Sequence, residues 1–211
     1  ENGTFVFYAA HPSVENAASF NQKCGRKESS TAILGCYNGQ DIYIYNVTDA
    51  RLDGIREVTA AHEMLHAAYA RLNDTDRNAV DALLTAEYEK LKDNKDFAER
   101  MAFYDRTEPG ERDNELHSII GTEVGSISNE LEAYYKRYFG DRSKVVALHE
   151  KYAAVFNELQ KRGESISNQL TTLGTTIEQQ SSQYNADVAQ LNRDIVSFNN
   201  KANSGGFSSD G

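Results

Sequence analysis

From Gly140 to Gly205 the chain contains no proline and only isolated glycines. Val145, Leu148, Tyr152, Val155, Leu159, Ile166, Leu170, Leu173, Ile177, Tyr184, Val188, Leu191, Ile195 and Phe198 follow a 3-4 heptad spacing there with few breaks. A stripe of that period is the signature of a long helix of coiled-coil type, a rod of roughly 85 Å at about 1.5 Å per residue. Such a helix cannot bury its stripe alone, so it predicts a coiled-coil partner or self-association. Ser204-Gly205-Gly206 suits the tip of a helical hairpin, and residues 204–211 read as a flexible Gly/Ser tail.

The residues before Gly140 have a different texture. Thr4–Tyr8 and Ala32–Tyr37 are short aromatic and β-branched runs, and Asp41–Val47 alternates, with Ile42 and Ile44 on one face and Tyr43, Tyr45 and Val47 on the other. Asn38-Gly39 between the last two runs is a hairpin signal. A helix is expected around Val14–Gln22. From Leu52 onward the periodicity turns helical: Ile55, Val58, His62, Leu65, His66, Tyr69 and Leu72 share one face of a helix ending near Asn73-Asp74. Asp74 or Thr75 can cap the next helix, striped by Val80, Leu83, Leu84, Tyr88 and Leu91. The polar loop Arg106–Asn114 precedes a short helix Glu115–Val124, and another helix spans Glu130–Phe139.

The fold class is therefore α+β: a mostly helical domain with a small N-terminal β-sheet (1–140), a long coiled-coil helix (141–203) and the tail. Thirty-nine per cent hydrophobic residues suffice for a core. The 22 Lys and Arg against 32 Asp and Glu leave a net charge of -10, which repels the phosphate backbone, so nucleic acid is excluded as a partner. No run approaches the roughly 20 apolar residues that span a bilayer, so any signal or membrane anchor is expected outside these residues. Cys24 and Cys36, in a polar, turn-rich stretch, suit a disulfide closing a short loop. That pairing points to an extracytoplasmic setting, secreted or at a bacterial cell surface. Asn2, Asn46 and Asn73 open Asn-x-Ser/Thr triplets, which matter only in a glycosylating pathway.

The segment that carries chemistry is Val58–Tyr69, VTAAHEMLHAAY. His62 and His66, four apart, project from one helix face one turn apart and can meet one tetrahedral cation, with Glu63 beside them. The flanking residues are uncharged, so the helix is buried. Two buried histidines and a carboxylate are costly there without a metal.

This HExxH helix resembles that of the zincin metallopeptidases. The Gly and third His of the metzincin branch are missing: Ala67-Ala68-Tyr69-Ala70-Arg71 follows His66, and the next histidine is His117. Asn114-Glu115-Leu116-His117-Ser118 instead looks like the NExx(S/A) setting of the gluzincins, which implies Glu115 as the third ligand of a zinc ion. The acid that in many gluzincins orients a metal-bound His is here Ile119, which keeps His117 and Glu123 in play as ligands. By this resemblance the chain is expected to be a zinc-dependent endopeptidase acting on peptide or protein substrates, with Glu63 as general base toward an attacking water. Tyr104 or His117 is then expected to stabilise the oxyanion, and the Asp41–Val47 strand to pair with an extended substrate. Two alternatives are a deformylase-like metallohydrolase using Cys36, and an envelope or adhesion coiled-coil protein whose zinc site is structural.

Overall fold

The computed structural model describes residues 2–25, 33–107 and 109–205. Along the chain run α1 (Asn2–Tyr8), β1 (Ser13–Glu15), α2 (Ala17–Lys23), β2 (Gly35–Tyr37), β3 (Ile42–Tyr45), α3 (Ile55–Tyr69), α4 (Asp74–Leu91), α5 (Lys95–Thr107), α6 (Arg112–Glu123), α7 (Asn129–Tyr135) and α8 (Arg142–Asn203). The α+β class expected from sequence is what folds: mostly helix, a small three-stranded sheet near the N-terminus and one long C-terminal helix.

Contacts divide the chain into two units, Glu1–Phe156 and Asn157–Gly211. The first unit does not stop at residue 140, because the opening turns of α8 belong to it. Arg142 is the anchor: its guanidinium donates to the carbonyls of Ile120, Val124 and Gly125 and pairs with Glu132. Val146 is buried beside it, and Leu148 packs against the backbone of Gly54. In the second unit the apolar stripe is open, with Leu159, Ile166, Leu170, Leu173, Ile177 and Leu191 each about half exposed. Of the predicted tail, residues 206–211 lie outside the described residues.

In the sheet, β3 is central, parallel to β1 and antiparallel to β2, in the order β1-β3-β2. Ile42 and Ile44 face the core as their alternation predicts. The Asn38 side chain accepts from the backbone of Gln40 and Asp41, closing the hairpin between Tyr37 and Ile42. Because both edges of β3 are paired, it cannot take a substrate strand. This corrects the role expected of Asp41–Val47. Among the described residues the outer edges of the sheet belong to β1 and β2, and of these β2 lines the cleft.

Thr4–Tyr8, expected as a strand, is part of helix α1. Gly3, Val6 and Ala10 share one side at helical spacing and are buried, and Gly3 approaches the Tyr138 carbonyl so closely that a Cβ would clash. Burial of that face outweighs the β-propensity of an aromatic run. The helix expected over Val14–Gln22 splits into β1 and α2, because Glu15 accepts from Ser13, Ser19 and Lys23 and Asn16 caps the helix that follows. Helix α3 ends at Tyr69. The cap of α4 is Asn73, whose side chain accepts from Asp76 N at 2.9 Å, rather than Asp74 or Thr75. Helix α6 begins a turn earlier than expected, so Glu115 sits within its first turn, and α7 closes at Tyr135 rather than Phe139.

The core lies where α3 crosses α6, with Leu65, Leu84, Leu116, Ile120, Leu131 and Tyr135 at its centre. Gly121 sets how near the two helices come: a Cβ there would lie 2.4 Å from Leu65 Cδ1 and 2.8 Å from the Tyr135 ring. Among the described residues, no helix is long and apolar enough to cross a membrane.

Cys24 and Cys36 form the expected disulfide, tying the C-cap of α2 to β2 across 12 residues. Constraining that loop in the unfolded chain is worth about 3 kcal/mol. Reduction is therefore expected to lower the unfolding temperature by several degrees while leaving any metal at the α3–α6 crossing bound. Thermal unfolding and metal content, with and without reductant, check this. Metal loss on reduction alone would contradict it.

Candidate metal centre

Helix α3 presents His62 and His66 one turn apart, with ring centroids 4.7 Å from each other. Helix α6 brings Glu115 to the same point. Its Oε1 lies 3.5 Å from His66 Nε2 and its Oε2 lies 3.7 Å from His62 Nε2. One ligand atom from each of the three lies within 4.8 Å of the others. These separations are long for hydrogen bonds. They are close to the edge of a tetrahedron whose bonds are 2.0–2.1 Å, which is about 3.3 Å. All three side chains are largely buried, at 15%, 10% and 7% exposure.

His66 is oriented from behind. Its Nδ1 lies 2.9 Å from Asn114 Oδ1 and 3.2 Å from Ser118 Oγ. The Asn114 amide nitrogen donates to Glu111, so its oxygen is the atom that faces the ring. An amide oxygen only accepts, so Nδ1 carries the proton and the lone pair of Nε2 points toward Glu115. This fixes the tautomer a metal ligand needs. Asn114 and Ser118, i and i+4 on α6, thus both face the Nδ1 side of the ring. In sequence both stand within the motif around Glu115, with no contact to His66 expected of either. The i, i+4 spacing around Glu115 is the signal that marks both.

Glu63 follows His62 on α3 and is 6% exposed. The β2 backbone passes directly over it: a Cβ on Gly35 would fall 2.6 Å from Glu63 Oε1 and 2.5 Å from Thr59 Cγ2. Glycine at 35 is what leaves the carboxylate its place. His62, Glu63, His66 and Glu115 line a cleft of about 640 Å³ walled by β2 and the disulfide on one side and by α5 and α6 on the other.

The rival ligands lie elsewhere. Glu123, eight residues after Glu115, is about 12 Å further along α6. There it is ion-paired with Arg100 and lies 3.3 Å from His149 Nε2. His117, at 0% exposure, lies inside a cage of Tyr69 from α3 and Tyr134, Tyr135 and Tyr138, with Nε2 2.9 Å from the Tyr134 hydroxyl. Burial pushes its pKa down to about 3 and keeps the ring neutral. That placement also removes His117 as an oxyanion donor. Cys36 is spent in the disulfide and offers no thiolate, which takes away the ligand a deformylase-like site would need.

No family model, no curated protein and no solved structure matches this chain.

If metal binding uses the α3–α6 crossing, Glu115→Ala is expected to weaken zinc affinity by orders of magnitude, while Glu123→Ala and His117→Ala leave zinc in place. Competition with a chromogenic chelator measures all three. Zinc stripped by Glu123→Ala or His117→Ala, but kept by Glu115→Ala, would overturn the ligand set.

Proposed function

We propose that this chain is a zinc-dependent endopeptidase whose ligands are His62, His66 and Glu115 and whose general base is Glu63. The observation that carries the reading is the convergence of two imidazoles and a carboxylate at metal-ligand spacing, beside a second buried carboxylate, in a cleft large enough for a peptide. The HExxH sequence and the Asn114-Glu115 context, both similar to the gluzincins, support it from the side of sequence.

A zinc ion held by these residues supplies Lewis-acid polarisation of a carbonyl and lowers the pKa of a water to about 7. The chain supplies the rest. Glu63 takes the proton of the attacking water and later returns it to the leaving amine. Gly35 leaves the Glu63 carboxylate room at the cleft, and Asn114 and Ser118 hold His66 in its binding tautomer. Among the described residues the outer edge of β2 pairs with no strand, and since β2 lines the cleft it suits an extended peptide added as a fourth strand. Among the described residues the ligand group holds three members, and three ligands with an adjacent base fit catalysis better than a closed structural site.

The disulfide supports an extracytoplasmic location. The exposed stripe of the second unit supports a coiled-coil partner or self-association there.

Digestion of a mixed peptide library by the full-length chain tests the activity. Cleavage is expected with zinc, absent after chelation and restored by adding zinc back. A zinc-loaded protein that leaves every peptide intact would refute the peptidase reading.

A further inference from the structure

A carbonyl under attack gathers negative charge, and a preorganised donor aimed at that oxygen contributes a large share of catalysis. Most donors on the cleft wall are already committed. The Tyr37 hydroxyl donates to Gly39 O at 2.7 Å, the Thr59 hydroxyl to Ile55 O at 2.7 Å, and the Lys23 ammonium to Glu15. Asn114 is spent on His66 and Glu111. Tyr104 packs edge-on against Phe103 at 5.4 Å. Tyr152 lines the same cleft, and among the described residues its hydroxyl takes part in no hydrogen bond.

Tyr152 comes from the part of α8 that belongs to the first unit. Its ring is braced on both sides along that helix, edge-on to His149 at 5.1 Å and to Phe156 at 6.3 Å. His149 is in turn held 3.3 Å from Glu123, which is paired with Arg100 of α5. Leu148, one turn before Tyr152, rests on Gly54 at the start of α3. The charged Arg100–Glu123 pair, which takes no part among the ligands, thus fixes the ring nearest Tyr152.

We propose that the Tyr152 phenol is the hydrogen-bond donor that stabilises the oxyanion developing on the substrate carbonyl. This rests on the peptidase reading. The proton stays on the phenol throughout, so Tyr152 acts by electrostatics and no bond to it forms or breaks. Burial raises its pKa to about 12, which keeps the hydroxyl protonated across the neutral range. The opening turns of the long helix would then be part of the catalytic unit rather than a stalk attached to it.

The test compares wild type, Tyr152→Phe and Tyr104→Phe as zinc-loaded full-length proteins. It uses a peptide taken from the library digest and a peptide phosphonamidate, whose tetrahedral anion mimics the transition state. Removing a hydroxyl without a partner among the described residues should leave fold and zinc content intact. Tyr152→Phe is expected to keep KM, lose roughly 10²- to 10³-fold in kcat, and lose phosphonamidate affinity by a similar factor. Tyr104→Phe, the rival donor, is expected to lose far less than Tyr152→Phe in kcat and in phosphonamidate affinity. Undiminished kcat and phosphonamidate affinity in Tyr152→Phe would overturn the assignment, and so would a loss confined to Tyr104→Phe or a loss of zinc from Tyr152→Phe. A wild type that binds zinc but neither cleaves peptides nor binds the phosphonamidate defeats the peptidase reading itself, and this inference with it.

Discussion

Replacing either His62 or His66 with alanine is expected to take bound zinc from about one ion per chain to background. Each histidine is one of three side chains whose ligand atoms meet within 4.8 Å. Two remaining ligands cannot define a tetrahedral site, and the loss should far exceed the roughly 10–100-fold that removal of a supporting partner costs. His66→Ala also leaves Asn114 Oδ1 and Ser118 Oγ without the ring nitrogen they face, so it should cost more stability than His62→Ala. Plasma emission on the purified variants reads the metal, and circular dichroism reads the fold. Zinc undiminished in both variants would remove the basis of the functional reading.

The second large effect is expected at Glu63. Glutamine there preserves the shape that fits beneath Gly35 but cannot take a proton, so Glu63→Gln should keep zinc and unfolding temperature while peptide turnover falls by roughly 10²–10⁴-fold. The ligand and base variants thus separate: the first loses metal and activity together, and the second loses activity alone. Equal cleavage by wild type and Glu63→Gln would refute the role given to this carboxylate even if the metal binds as proposed.

Several features were legible without coordinates because they depend on neighbours along the chain. The i, i+4 spacing of His62 and His66 places both on one side of α3 whatever that helix packs against. The alternation of Ile42 and Ile44 selects the buried face of β3, and the Asn38-Gly39 hairpin follows from turn chemistry. Cys24 and Cys36 had each other as their only covalent partner. The long period after Gly140 made α8 a helix. Local pattern was misleading at α1, where the aromatic run reads as strand until Gly3 and Val6 are seen packing at helical spacing. It also placed the domain boundary at 140, because the grip of Arg142 on the carbonyls of Ile120, Val124 and Gly125 leaves no mark in periodicity.

By itself the sequence determined which groups α3 carries and on which face, since side-chain direction on a helix is set by backbone geometry within one or two turns. Only the tertiary structure decided what meets them. Glu115, His117 and Glu123 share one helix and all have metal-ligating chemistry, but the close crossing allowed by Gly121 turns the first toward His62 and His66, buries the second among tyrosines and leaves the third with Arg100. Asn114 reaches His66 across 48 residues of chain, Ser118 across 52, and Gly35 meets Glu63 from a strand edge that the alternation of β3 did not reveal. Such contacts arise from helix-crossing distance and strand order, which are set by packing the whole core and have no counterpart in local spacing.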